Sequence, residues 1–133
     1  MSDQEALLAA NAAFYRAFAE RDLPAMAALW SQRAPVACIH PGWNPLTDRK
    51  AVMASWAGIL GSGSSPNVRC LGPVAFVTGD TGFVICYEVL EGGFLAATNI
   101  FVREAAGWTM VHHQAGQTLQ GPPQTATDGG TVH

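Results

Sequence analysis

Apolar positions along the chain follow two different periods, and the change falls near residue 67. Up to residue 61 they recur every three or four positions, as on a helix with one buried face. Ser2-Asp3-Gln4-Glu5 has the form of a capping box, in which Ser2 and Glu5 satisfy each other's free amides. Leu7, Ala10, Phe14, Ala17 and Phe18 continue it as one stripe. Asp22 caps a second, short helix with Pro24 in its first turn and Met26, Leu29 and Trp30 on its buried face. Asp48 caps a third, whose stripe is Val52, Trp56, Ile59 and Leu60 and which is expected to stop at Gly61 in a left-handed conformation. Between the second and third helices Val36-Ala37-Cys38-Ile39 is too short and too continuous for an amphipathic helix and reads as a buried strand.

Beyond residue 67 the runs are extended and glycine-bearing turns separate them. Residues 67–78 carry a bend at Gly72-Pro73, since proline cannot join a ladder. Turns at Gly79-Asp80, Gly92-Gly93 and Ala106-Gly107 then lead into residues 81–90, 94–103 and 108–119, an antiparallel meander. Helices first and strands afterwards imply an α+β fold. The expected form is a cone-shaped barrel, with three N-terminal helices on the concave face of a curved, mainly antiparallel sheet. The domain is expected over residues 1–119. Residues 120–133, rich in Gly, Pro, Thr and Gln, are expected to form a disordered tail.

Composition narrows the function classes. Hydrophobic residues make up 49% of the 133 and charged ones only 13%, about half the usual share, so part of the apolar surface is expected to be covered by a second copy. A net charge of −3 and a single lysine, Lys50, exclude a basic nucleic-acid patch. No apolar run is long enough to cross a bilayer, and the acidic start is unlike a signal peptide. Cys38, Cys70 and Cys86, unpaired by spacing, read as buried free thiols of a cytoplasmic protein. Three of the four tryptophans fall within residues 30–56, around the strand that runs into His40-Pro41-Gly42-Trp43. This segment is expected to form the mouth and one wall of an apolar pocket, with His40 as its best-placed polar group.

Residues 14–30 (F-x-x-x-F-A-E-R-D-L-P-A-M-A-A-L-W), C-I-H-P-G-W at 38–43, V-M-A-S-W at 52–56, N-I-F-V-R-E at 99–104 and W-T-M-V-H-H at 108–113 together resemble the SnoaL-like branch of the nuclear transport factor 2-like superfamily. The resemblance covers residues 3–118. It implies the cone with a deep pocket and a homodimer built on the outer face of the sheet. It implies no single activity, since isomerases, cyclases, dehydratases and plain binding domains share the fold. It also places His40 near the position where ketosteroid isomerase-like relatives carry a carboxylate base. Related chains often continue the last strand as a histidine-rich run, where this one reads His112-His113-Gln114-Ala115-Gly116-Gln117.

Adjacent strand residues face opposite ways, so His112 and His113 cannot share one ligand. Alternation groups Trp108, Met110, His112 and Gln114 on one face, and the resemblance favours that face for the cavity. The candidate catalytic pair is therefore His40 and His112. The candidate ligand-binding set is Trp30, Trp43, Trp56, Tyr87, Asn99 and Gln114. Glu88, the only mid-strand carboxylate, is expected on the outer face. No metal site or cofactor is expected, for want of a ligand pattern. Cys38 is expected to be a buried structural thiol, not a nucleophile. The resulting expectation is a pocket protein of undefined activity that binds a small, mainly apolar molecule. The alternatives are a proton-transfer enzyme with His40 as general base and a non-catalytic dimerisation module.

Overall fold

A computed structural model of the chain describes residues 1–64 and 66–123. The expected order of elements is present. Helix α1 spans Asp3–Ala19, α2 Leu23–Leu29, strand β1 Ala37–Ile39, and α3 Arg49–Gly61. Strands β2 (Arg69–Thr78), β3 (Thr81–Leu90), β4 (Gly93–Glu104) and β5 (Gly107–Gln117) follow. The anticipated caps form: both halves of the Ser2–Glu5 box are made, and the Asp22 and Asp48 carboxylates accept from Ala25 and Ala51 amides. Gly61 departs from expectation. It is the last helical residue rather than a left-handed stop, because the chain leaves α3 through Ser62 in an extended conformation.

The sheet has the order β1-β5-β4-β3-β2. Strands β2 to β5 form the antiparallel meander, and β1 pairs with β5 in parallel, Cys38 opposite His113. The sheet does not close on itself, so the cone is an open one whose concave face the helices cover. Two irregularities bend it. The ladder between β2 and β3 skips Gly72-Pro73, with Gly72 at φ +65°. The ladder between β4 and β5 pairs Phe101 with Met110 but Ile100 with His112, leaving Val111 as a one-residue bulge.

Fully buried Trp30, Trp56, Phe14, Phe101, Leu7, Met26 and Met110 belong to one continuous core between the helices and the sheet. Phe14 and Phe18 both meet Trp56 edge-on, at centroid distances of 5.5 and 5.0 Å. Packing of α1 against the sheet is so close at Gly82 that a Cβ there would lie 2.6 Å from a Leu7 methyl. Among the described residues none fills the open end, where a cavity of about 780 Å³ remains. Residues 120–123 complete the described part of the expected tail, and its remaining residues lie outside the described ones.

Candidate active site

A polar belt crosses the middle of the cone where the apolar pattern predicts only core. On α1 the residues Asn11 and Tyr15 are one turn apart, on the same buried stripe as Leu7, Phe14 and Phe18. Facing them from the sheet are Glu88 on β3, Asn99 on β4 and His113 on β5. All five are at most 3% exposed, so each must find its partners inside the protein. The Asn99 amide nitrogen donates to Asn11 Oδ1 at 2.8 Å and to the Tyr15 oxygen at 3.1 Å. Its Oδ1 is therefore an acceptor, and His113 Nδ1, 2.6 Å away, carries a proton. That leaves His113 Nε2 with its lone pair, 3.8 Å from Glu88 Oε2. Tyr15 donates to the same carboxylate oxygen at 2.7 Å, while its own oxygen also accepts from the Cys86 thiol at 3.3 Å.

The electrostatics follow from burial. Desolvation lifts Glu88 from 4.5 to about 7, opposed by the hydrogen bond from Tyr15. Tyr15 is held well above its ordinary range by burial and then by the neighbouring Glu88. Burial, followed by the proximity of His40 and His112, lowers His113 to about 3. Near neutral pH the belt thus contains a neutral imidazole, a neutral phenol and a carboxyl group close to half-protonation.

His40 stands on the other side of the open end, 4% exposed and immediately after β1. Its ring lies edge-on to Trp56 and to Trp43, both at 4.8 Å, and 6.3 Å from the His113 ring. Ser55 donates its hydroxyl proton to the Val52 carbonyl at 2.6 Å and so accepts from His40 Nε2 at 2.9 Å. The lone pair of His40 therefore sits on Nδ1. Desolvation lowers its pKa to about 4. Cys38 lies 3.6 Å from His40 Nε2, but burial raises its thiol to about 12, so it is not a ready nucleophile.

His40, Glu88 and His113 open onto a cavity of about 780 Å³, whose walls include Phe18, Trp43, Ile59, Val68 and Leu95. This is within the size range of small-molecule pockets. The turn from His40 to Trp43 closes with a Trp43 N–H to His40 carbonyl hydrogen bond of 2.9 Å. Pro41 and Gly42, the latter at φ +81°, occupy the central positions that such a turn favours. Trp43 is thereby set at the mouth, 48% exposed.

Of the residues singled out from the sequence, His40 and Trp43 reach the cavity. The bulge at Val111 overturns the facing assigned to the last strand. Counting by twos from Met110 puts His112 inside, but the extra residue shifts the count, and His113 and Ala115 are buried instead. His112 is turned to the sheet edge, donating from Nδ1 to the Ala37 carbonyl at 3.1 Å, and Gln114 is exposed. Tyr87 alternates with inward Cys86 and Glu88 and so shares the outer face with Ile85. Trp30 and Trp56 belong to the core, and Asn99 sits behind His113 in the belt rather than on the cavity wall. Glu88, expected outside, is 2% exposed and points inward, where Tyr15 donates to its Oε2. Its signal was present in the alternation Val84, Cys86, Glu88 and in the polar Asn11 and Tyr15 on an otherwise apolar helical stripe. Among the described residues no cluster of three or more potential metal ligands occurs.

Comparison with known proteins places this geometry in context. The family model described as a SnoaL-like domain matches residues 7–119. The crystal structure of a candidate dehydratase of the NTF2-like family from Streptomyces avermitilis is 32% identical, with a TM-score of 0.81, over 89% of this chain and 97% of that one. A candidate calcium/calmodulin-dependent protein kinase type II association domain from Thiobacillus denitrificans is 37% identical, with a TM-score of 0.73, over 83% and 93% of the two chains. The F-box protein SKIP8 of Arabidopsis thaliana is 29% identical over 121 residues, which are 86% of this chain and 50% of that protein. The chain thus spans about half the length of that curated relative.

Proposed function

We propose that this chain, which belongs to the SnoaL-like domain family, is a proton-transfer enzyme acting on a small, mainly apolar molecule held in the cone. The observation that carries the reading is Glu88, a carboxyl group with a pKa of about 7 that opens onto an apolar cavity beside an unprotonated imidazole nitrogen. A general acid–base group works best when its pKa lies near the operating pH. Glu88 meets that condition, and His40 and His113, lowered to about 4 and 3, do not. Glu88 takes the proton from a carbon next to a carbonyl and, as the carboxylic acid so formed, returns it either to another carbon of the enol or to a departing hydroxyl, which leaves as water. Tyr15 fixes the carboxylate through its hydrogen bond to Oε2, and His113 Nε2 stands beside it with a free lone pair. His40, the general base of the alternative reading of the sequence, presents Nδ1 as a hydrogen-bond acceptor that orients the substrate. The 32% identical structure described as a candidate dehydratase is consistent with chemistry of this type.

A purely binding or dimerising role is the competing reading, since a 37% identical structure is described as an association domain. Turnover decides between them. Wild type and Glu88→Gln are to be assayed on a panel of enolisable ketones and β-hydroxy ketones, with binding measured in parallel. We expect Glu88→Gln to bind as wild type does while its kcat falls by roughly a hundredfold or more. Ligand binding without turnover in wild type would end the catalytic reading in favour of the binder. The same proposal includes a cytoplasmic protein and a homodimer formed through the outer face of the sheet. There the half-exposed side chains of Val74, Phe76 and Ile85 lie together, with Phe76 stacked on Phe83 at 4.8 Å.

A further inference from the structure

We infer that Trp43 is a partition that sets the length of ligand the pocket accepts, an inference that rests on the reading of the cone as a binding pocket. Beside the main cavity lies a shallower groove of about 330 Å³ along α3, lined by Ser55 and Gly58 among others. Trp43, Ile59 and Pro66 line both spaces. Of the three, Trp43 projects from a proline–glycine turn with its backbone N–H bonded to the His40 carbonyl and its indole edge-on to the His40 ring. A half-exposed tryptophan held in place by such a turn is a wall and not a core residue. With the indole in place, a ligand whose polar end reaches Glu88 and His113 must stop at Trp43. With it removed, cavity and groove become continuous, and an apolar chain can run on past Gly58.

The test compares two neutral ketones, acetophenone and its long-chain homologue octanophenone, by titration calorimetry. Each methylene newly buried is worth about fourfold in affinity. In wild type the affinity ratio of octanophenone to acetophenone is limited to what the main cavity can bury short of Trp43. In Trp43→Ala that ratio gains roughly tenfold or more, while acetophenone weakens through loss of the indole contact. A Cβ placed on Gly58 meets nothing within 4 Å, so Gly58→Leu in the Trp43→Ala background fills the groove without disturbing the fold and abolishes the gain. Equal loss of both ketones in Trp43→Ala, or a long-chain gain that survives Gly58→Leu, overturns the partition. If wild type and variants bind neither ketone, the pocket reading itself falls. Binding of acetophenone with no length effect removes the partition alone.

Discussion

Glu88→Gln tests the central physical claim without any substrate. The side chain keeps its shape, and Tyr15 still has an oxygen to donate to, but the group can no longer ionise. In wild type, burial lifts the carboxyl from 4.5 to about 7. Because the folded pKa lies above the unfolded one, the unfolded chain gives up this proton first as the pH rises. Stability attributable to the group is therefore fully present below about 4.5, declines between 4.5 and 7, and is lost above 7. The gap corresponds to about 3 kcal/mol of penalty for holding the carboxylate inside the cone. Solvent screens little of it, as the residue is 2% exposed. Urea unfolding of both proteins at about pH 5 and about pH 9 isolates the term, since contributions common to both pH values cancel in the difference. Glu88→Gln is expected to gain about 2–3 kcal/mol over wild type on going from the lower to the higher pH. A stability difference between the two proteins that does not move with pH would mean that Glu88 titrates as an ordinary exposed carboxylate. The acid–base role built on it would then fail.

Three other perturbations probe the surroundings. Asn99→Leu removes at once the acceptor of His113 Nδ1 and the donor to Asn11 and Tyr15. It should cost about 2–4 kcal/mol in chemical denaturation, and a loss below about 1 kcal/mol would show the belt to be slack. His40 and His113 have folded pKa values of about 4 and 3, below their unfolded 6.5, so their contribution is present above 6.5 and is lost as the pH falls. Between about pH 4.5 and 6 two such histidines outweigh the opposite trend of Glu88, and wild type should lose about 1.4 kcal/mol per pH unit on acidification. His40→Gln should bring that slope close to zero, and an unchanged slope would show His40 to be hydrated. Ile85→Lys, on the outer face of β3, should convert a homodimer to monomer in sedimentation velocity, whereas an unchanged sedimentation coefficient would remove that face as the interface.

Most of the fold was legible because local rules and tertiary packing agree in this chain. Capping residues stand at Ser2, Asp22 and Asp48, Gly72-Pro73 marks a real irregularity, and each glycine turn of the meander lies where the runs break. The site was less legible, for two separate reasons. Facing along β5 was lost at Val111, a bulge that carries no glycine or proline to announce it. One unpaired residue reverses every later inside–outside assignment on a strand, which is how His112 and His113 exchange roles. The second reason concerns partners. A carboxylate within a strand is ordinarily placed on the solvent side, because burying it alone is costly. Glu88 is buried in company: its partner Tyr15 lies 73 residues away in sequence, and the link from Asn99 to Asn11 spans 88.

Those separations explain why the polar belt reads as scattered core residues until the helix is laid on the sheet. They also bear on what the belt does. A polar layer kept only for stability would be expected to close every hydrogen bond, as Asn99 does with Asn11, Tyr15 and His113. On the cavity side the closure stops. His113 Nε2 stays 3.8 Å from the carboxylate, beyond a hydrogen bond, and the carboxyl faces the open end with a pKa near neutrality. The part of the network furthest from the cavity is saturated and fixes geometry. The part that faces it retains an unused lone pair and an exchangeable proton, and a small molecule in the cone would meet those two groups first.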